Sequence, residues 1–139
     1  MLRYIVNTLL HCFWLFPQPA KGKLIKLSVK ATQNENAEKF PLSVKDEEGA
    51  AGDFYYAFVK LNRFEAEPDF WIIPSEIVCS LIRTAHRRWL QTPRRNGKPH
   101  KDTTMRSLPI KVTKSETSLY LENWDEDVKK YYKNLDQLV

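Results

Sequence analysis

The sequence predicts an α+β domain built on a small mixed β-sheet flanked by helices. Stretches with the alternation or the aromatic and β-branched content of strands come first, and stretches with helical spacing follow them. The chain has 139 residues, of which 42% are hydrophobic and 12% aromatic. This length suits one domain with a modest core, and this composition excludes a disordered chain.

The apolar first 16 residues begin like a signal peptide, with one early arginine. Asn7 and His11 interrupt the run, no small-residue cleavage site follows, and the run is shorter than the roughly 20 residues of a membrane-spanning helix. We therefore expect a short helix or strand that packs on the domain, or sequence outside it. The predicted organisation is an apolar segment with a linker at residues 1–22 and a single domain at residues 23–139.

Three stretches have the patterns of strands. In residues 22–32, Ile25, Leu27 and Val29 alternate with polar residues, which predicts a strand with one wet or functional face. Residues 53–61 are apolar on both faces and rich in aromatics, as in a central strand, and residues 69–74 predict a second buried strand. The polar stretch from 33 to 53 is a long connection with a short extended piece at residues 39–44.

Residues 75–91 have helical spacing, with Ser75 as the expected N-cap. One face of this helix carries Arg83 and Arg87. The apolar positions of the opposite face, which we expect to close the core against the sheet, are Val78, Leu81, Ile82, Ala85 and Trp89.

After this helix, residues 92–109 form a basic loop that leads into a short strand at residues 109–112. The carboxyl end, residues 125–139, has apolar residues at steps of three and four, which predicts a second amphipathic helix. Those apolar residues are Val128, Tyr131, Tyr132, Leu135 and Leu138.

Positive charge is concentrated in one segment of the chain. Residues 83–106 contain eight basic residues and one acid, a net charge of +7, whereas the whole chain carries +5, so the remainder is slightly acidic. Such a cluster, on a loop with glycine and prolines behind the arginines of a helix, is typical of a phosphate-contact surface. A solvated basic loop that keeps the chain soluble accounts for the same charges equally well.

Six short motifs occur in order between residues 23 and 125. They are x-V-K at residues 29–30, F-V-x-L at 58–61, F-x-I-V-P-S at 70–75 with isoleucine for the valine, H-x-x-W-L at 86–90, H-x-D-x-x-M-R at 100–106 and Y-L-x-x-W at 120–124. Their order and spacing together resemble a family of domains with the restriction endonuclease-like, PD-(D/E)XK, fold. The resemblance implies a restriction endonuclease-like core.

The chemistry that this resemblance implies is metal-assisted phosphodiester hydrolysis. An acid on one strand and an acid two residues before a lysine on the next strand bind Mg²⁺, and the lysine positions or activates water. Lys30 matches the family's lysine, but Ser28 stands two residues before it, and Glu35 is the first acid in the chain. We therefore expect no metal and no cofactor, with Lys30 a catalytic remnant in a degenerate or amino-terminally truncated nuclease.

The resemblance also favours nucleic acid as the partner, with duplex DNA preferred, bound through its phosphate backbone. A homodimer is compatible with this interpretation, and a membrane partner is not expected. The residues expected to contact nucleic acid are Arg83, Arg87, Arg94, Arg95, Lys98, His100, Lys101 and Arg106.

Two other functions stay open. The chain could be a small structural or protein-interaction domain whose basic loop meets an acidic partner. It could also be an active metal-dependent endonuclease that recruits its acids from Asp53 or Glu35.

Cys12 and Cys79 are too few for a disulfide framework, and no cysteine or histidine spacing suggests a zinc site. We expect free thiols in a reducing compartment, and hence a cytoplasmic protein. His86, at the edge of the apolar stripe, should be packed or half-exposed, and His100 should be a phosphate contact or a plain loop residue.

Three acids lie close together at Glu65, Glu67 and Asp69. In principle they could bind a cation. Acids in a turn between strands more often form a solvated loop, which is what we expect here.

Overall fold

The computed structural model describes residues 24–49, 51–120 and 123–138, together with the backbone of Cys12–Pro17. These residues form an α+β fold with two small sheets. The strands are β1 (Cys12–Pro17), β2 (Leu24–Thr32), β3 (Lys39–Ser43), β4 (Phe54–Lys60), β5 (Asp69–Pro74) and β6 (Met105–Pro109). The helices are α1 (Ser75–Gln91) and α2 (Trp124–Asp127), and 3-10 turns lie at Val44–Glu47, Asn62–Phe64, Val128–Tyr131 and Asp136–Leu138.

The main sheet is mixed and has the strand order β1-β2-β4-β5. β1 runs antiparallel to β2, β2 runs parallel to β4, and β4 runs antiparallel to β5. Because β2 and β4 are parallel, the chain between them must return to the end of the sheet where it started. This crossover is the polar connection expected at residues 33–53, and it contains β3, which pairs with β6 in a separate antiparallel ribbon.

The main core lies between one face of this sheet and the layer formed by α1, the β3–β6 ribbon and the buried side chains of Tyr120, Trp124, Val128 and Tyr131. Phe58 of β4 and Ile73 of β5 are completely buried there. The opposite face carries a smaller cluster of Leu27, Ala57 and Ile72, one residue from each of three neighbouring strands. Residues on the α1 side of β2 are therefore placed inside the domain rather than in solvent.

Several predicted elements are confirmed. The strand and the helix expected at residues 69–74 and 75–91 have those bounds, and the aromatic-rich β4 is a central strand between β2 and β5. The predicted wet face of β2 is wrong at Ser28, which is only 2% exposed. Ser28 lies opposite Tyr56 of β4, which belongs to the main core.

Ser75 is not the N-cap of α1. It is the first helical residue, after Pro74, and its side chain is completely buried. The hydroxyl donates to the carbonyl of Ala51 and accepts the N–H of the same residue, both at 3.1 Å. Ser75 therefore fixes the loop before β4 instead of capping the helix.

The strand expected at residues 109–112 is also misplaced, because β6 is Met105–Pro109. Its register pairs Leu108 with Phe40 of β3, and both side chains are buried in the main core. Burial of Leu108 thus decides where the strand lies, and the basic loop is correspondingly shorter than predicted.

The prediction of a continuous helix at the carboxyl end is wrong. α2 has four residues, a 3-10 turn follows it, and Lys133 adopts a left-handed conformation with φ of 48°. The chain bends there because it pairs with the open edge of β5: the N–H of Lys133 donates to the carbonyl of Phe70 at 2.8 Å, and Tyr132 bridges to Trp71. Val128 and Tyr131 are buried as expected, whereas Tyr132 and Leu135 are exposed.

Trp89 does not close the core as predicted. It is half-buried and lies outside the main core, while Val78, Leu81, Ile82 and Ala85 of the same stripe are buried in it. The indole instead stacks against two histidine rings, with centroid separations of 5.5 Å to His86 and 4.0 Å to His100. Among the described residues, no helix is long and apolar enough to cross a membrane.

Trp89→Ala should therefore destabilise the protein by about 2 kcal/mol, since it removes a half-buried aromatic and two ring contacts. Leu81→Ala, at a position 2% exposed, should cost more, about 3 kcal/mol. Urea denaturation of both variants measures which of them loses more stability. A larger loss of stability for Trp89→Ala than for Leu81→Ala would show that Trp89 belongs to the core.

Candidate functional site

Lys30 lies near the end of β2, on the side of the sheet that α1 covers. Its Cα is paired with Phe58 of β4, two residues beyond the pair formed by Ser28 and Tyr56. The side chain is 10% exposed, and Nζ is 3.4 Å from Oδ1 of Asp46. The lysine that the motif resemblance singled out therefore occupies a nearly enclosed site beside a carboxylate.

Asp46 comes from the 3-10 turn of the crossover. Its Oδ2 accepts the N–H of Ser43 at 2.8 Å and the Ser43 hydroxyl at 3.2 Å, and its Oδ1 accepts the Tyr56 hydroxyl at 3.0 Å. Burial by itself would raise the pKa of Asp46, but the Ser43 N–H, the Lys30 ammonium and the Tyr56 hydroxyl together hold that pKa below its ordinary value. Asp46 is therefore an ionised counter-ion for Lys30.

The same environment keeps the Tyr56 hydroxyl and the Cys79 thiol protonated. Burial, followed by the charge of Asp46 and its hydrogen bond, raises the pKa of Tyr56 well above its ordinary range. Burial likewise raises the pKa of the Cys79 thiol, whose Sγ donates to the Asp46 carbonyl at 3.0 Å. Cys79 is a free, buried thiol that ties α1 to the turn, and a protonated thiol is a poor nucleophile.

The residues around Lys30 do not fit a Mg²⁺ ion. A hard divalent cation needs several oxygen ligands with negative charge, yet both oxygens of Asp46 are already engaged by protein donors. Ser28 supplies only a neutral, buried hydroxyl, and residues 1–34 contain no Asp or Glu. Within the described ranges, no group of three or more His, Cys, Asp or Glu side chains could hold a metal.

The acids named for an active endonuclease do not join Lys30. Glu35 forms an ion pair with Arg63 at 3.7 Å, beyond the end of β2. Asp53 is next to β4 at the opposite end, where its carbonyl accepts the N–H of Lys26 at 2.8 Å. Lys26 and Lys30 are four positions apart along the strand, which corresponds to about 13 Å.

Five of the cations predicted to contact nucleic acid form an exposed group, called the basic surface below. One is on the outer face of α1 and four are on the loop that follows it. Throughout the described part of the chain, no carboxylate forms an ion pair with any of them. They are Arg87, Arg94, Arg95, Lys98 and Lys101.

Arg83 and Arg106 have structural contacts instead. The Arg106 side chain is 6% exposed, forms an ion pair with Glu47 and donates to the carbonyls of Thr103 and Met105 at 2.7 and 2.9 Å. Arg83 is exposed, but its guanidinium donates to the Glu47 carbonyl. Both arginines therefore contact the crossover turn at Glu47. We no longer expect Arg106 to contact nucleic acid, and the first role of Arg83 is to hold the turn.

The loop that carries the basic surface is tied to α1. Nε2 of His86 is 2.8 Å from Oδ1 of Asp102, and this hydrogen bond lowers the pKa of Asp102. His100 stacks on Trp89, so its ring covers the indole rather than projecting into solvent. His86 is packed as expected, with its side chain 11% exposed. The loop therefore returns to the helix at two points.

The acids of the β4–β5 connection behave as expected for a solvated loop. Glu65 and Glu67 are exposed. Asp69 is half-buried and accepts hydrogen bonds from Tyr132 and Asn62, which lower its pKa.

Sequence reasoning missed Asp46 and Tyr56. Asp46 is the first residue of an acidic run at positions 46–48, a pattern that normally indicates a solvated turn. Tyr56 is one aromatic among several in β4. The crossover turn brings Asp46 to Lys30, and the pairing of β2 with β4 places Tyr56 opposite Ser28 on the same face.

No family model matches this sequence, and neither a curated protein nor a solved structure matches it.

Proposed function

We propose that this chain is a nuclease-related protein with a restriction endonuclease-like core that binds nucleic acid through phosphates and lacks metal-dependent catalysis. One observation carries the proposal: the five cations of the basic surface are all exposed, on one helix face and the loop tied to it. Ordinary surface lysines and arginines are dispersed among acids, and here Asp102 is the single acid between residues 83 and 106.

The physical basis is the counterion atmosphere of nucleic acid. Each cation that neutralises a phosphate releases a condensed counterion, which favours binding at low salt. A loop already fixed by the His86–Asp102 hydrogen bond and the Trp89–His100 stack loses less conformational entropy on binding than a free loop. Duplex DNA, which carries one negative charge per about 1.7 Å of helix axis, is the favoured ligand.

The surroundings of Lys30 support the second half of the proposal. The mixed sheet and the lysine near the end of β2 are compatible with a nuclease-like ancestry. The carboxylate beside that lysine neutralises it, and protein donors already engage both of its oxygens, which disfavours its use as a metal ligand. We propose that this arrangement stabilises the domain and no longer activates water.

Replacing Arg94, Arg95 and Lys98 together with alanine should weaken duplex binding and reduce the slope of log K against log salt by about 0.9 per lost contact. The measurement is a fluorescence anisotropy titration at several salt concentrations. The matched control is the triple variant Lys26→Ala, Lys45→Ala and Lys114→Ala, which removes the same charge from exposed positions elsewhere.

The control should keep nearly the full slope. Equal slopes for the two variants would reduce the effect to net charge and contradict the proposal. Absence of binding at low salt, combined with capture of an acidic polypeptide, would instead favour a protein-interaction domain.

A further inference from the structure

The tip of the basic loop is a tight turn at residues 94–98. The N–H of Gly97 donates to the carbonyl of Arg94 at 2.8 Å, and the N–H of Arg94 donates to the carbonyl of Lys98 at 2.9 Å. Gly97 has φ of +75°, a conformation that strongly favours glycine. These bonds close the turn and place Arg95 and Asn96 at its outermost point.

This tip is both rigid and entirely exposed. Asn96 accepts the N–H of Lys98 on Oδ1 at 3.1 Å, which adds a third hydrogen bond across the turn. A few residues further along, the Trp89–His100 stack fixes the loop to α1. The turn therefore presents the side chains of Arg94, Arg95 and Lys98 to solvent on a backbone that these hydrogen bonds constrain.

We infer that this tip enters the minor groove of duplex DNA and that its arginines favour segments where that groove is narrow, an inference that rests on the proposed function. The minor groove is about 6 Å wide, too narrow for a helix but accessible to a projecting arginine. A narrow A·T groove concentrates negative potential and attracts arginine without any base-specific hydrogen bond. The arginines of the turn thus read DNA shape and also neutralise the phosphates that border the groove, while Arg87 and Lys101 contact phosphates alone.

Two observations disfavour base readout in the major groove by Asn96 and by α1, whereas for the arginines, which can also contact guanine there, the I·C duplex decides the groove. The amide oxygen of Asn96 is used inside the turn, so Asn96 cannot make the bidentate contact that recognises adenine. The exposed face of α1 contains the acid Glu76, and Arg83 on the same helix donates a hydrogen bond to the Glu47 carbonyl. This leaves Arg87 alone near the loop, which suits one phosphate contact and not a recognition helix.

The test compares three duplexes of equal length, built from A·T, G·C and I·C pairs. Inosine lacks the 2-amino group that guanine places in the minor groove, but it keeps guanine's acceptors in the major groove. A protein that enters the minor groove should therefore bind A·T and I·C duplexes alike and severalfold more tightly than G·C. Arg95→Lys keeps the charge and should lower this preference, whereas Lys101→Ala should weaken binding to all three duplexes by the same factor.

The outcomes separate the inference from the proposed function. Equal affinity for the three duplexes, with the salt dependence intact, would overturn the minor-groove inference alone. Binding in which I·C behaves as G·C would place the contact in the major groove and also overturn it. No binding to any duplex at low salt would overturn both.

Discussion

Asp46→Ala should destabilise the protein by about 3 kcal/mol. The carboxylate accepts three hydrogen bonds and lies 3.4 Å from Nζ of Lys30, in a site where both side chains are less than 15% exposed. Its removal leaves a nearly buried ammonium without this counter-ion and the Tyr56 hydroxyl without its acceptor. Chemical denaturation of the variant measures the loss.

The matched control is Glu48→Ala, which removes an exposed acid two residues away and should change stability by less than about 0.5 kcal/mol. Adding Lys30→Met to Asp46→Ala should recover part of the lost stability, because it removes the nearly buried charge that Asp46→Ala leaves without this counter-ion. If Asp46→Ala and Glu48→Ala were equally stable, the ion pair would have no structural role.

The stability that Asp46 supplies should also depend on pH. Because its pKa in the folded protein lies below the unfolded value, the contribution is fully present above the unfolded pKa and is lost as pH falls through the folded pKa. Asp46→Asn should therefore lose less stability than the parent between neutral and acid pH. Parallel acid dependence of the two proteins would contradict this assignment.

Metal ions should neither stabilise the protein nor confer activity on a variant with one added carboxylate. A ligand that binds only the folded state raises the melting temperature, so Mg²⁺ or Mn²⁺ should leave it unchanged. Ser28→Glu should not create metal-dependent cleavage, because no second carboxylate precedes Lys30 in the sequence and Asp46 is already engaged. A melting temperature that rises with metal for the parent would reveal a site outside this account.

The elements with strong local patterns could be predicted from the sequence. The alternation of β2, the aromatic run of β4 and the amphipathic spacing of α1 each require burial of particular side chains, and the structure buries most of them, with Val29 and Trp89 half-buried. Predictions failed where distant contacts decide the conformation. The carboxyl end has helical spacing, yet its pairing with the edge of β5 bends the chain at Lys133.

The candidate site divides in the same way. The concentration of charge in residues 83–106 is a local property, and most of those cations are exposed as expected. Arg106 differs because the β3–β6 ribbon brings it to Glu47, some 59 positions earlier in the chain. Asp46 is likewise brought to Lys30 by a crossover whose path the sequence does not reveal.

A plasmid assay that measures binding and nicking in one reaction distinguishes a nucleic-acid-binding protein without catalysis from an active nuclease. Supercoiled plasmid is incubated with the parent protein or with Lys30→Ala, in EDTA, Mg²⁺ or Mn²⁺, and run before and after removal of the protein. We predict that both proteins retard the plasmid in every condition and that it stays supercoiled once the protein is removed. Nicking that requires metal and disappears in Lys30→Ala would contradict the account and make Lys30 a working catalytic residue.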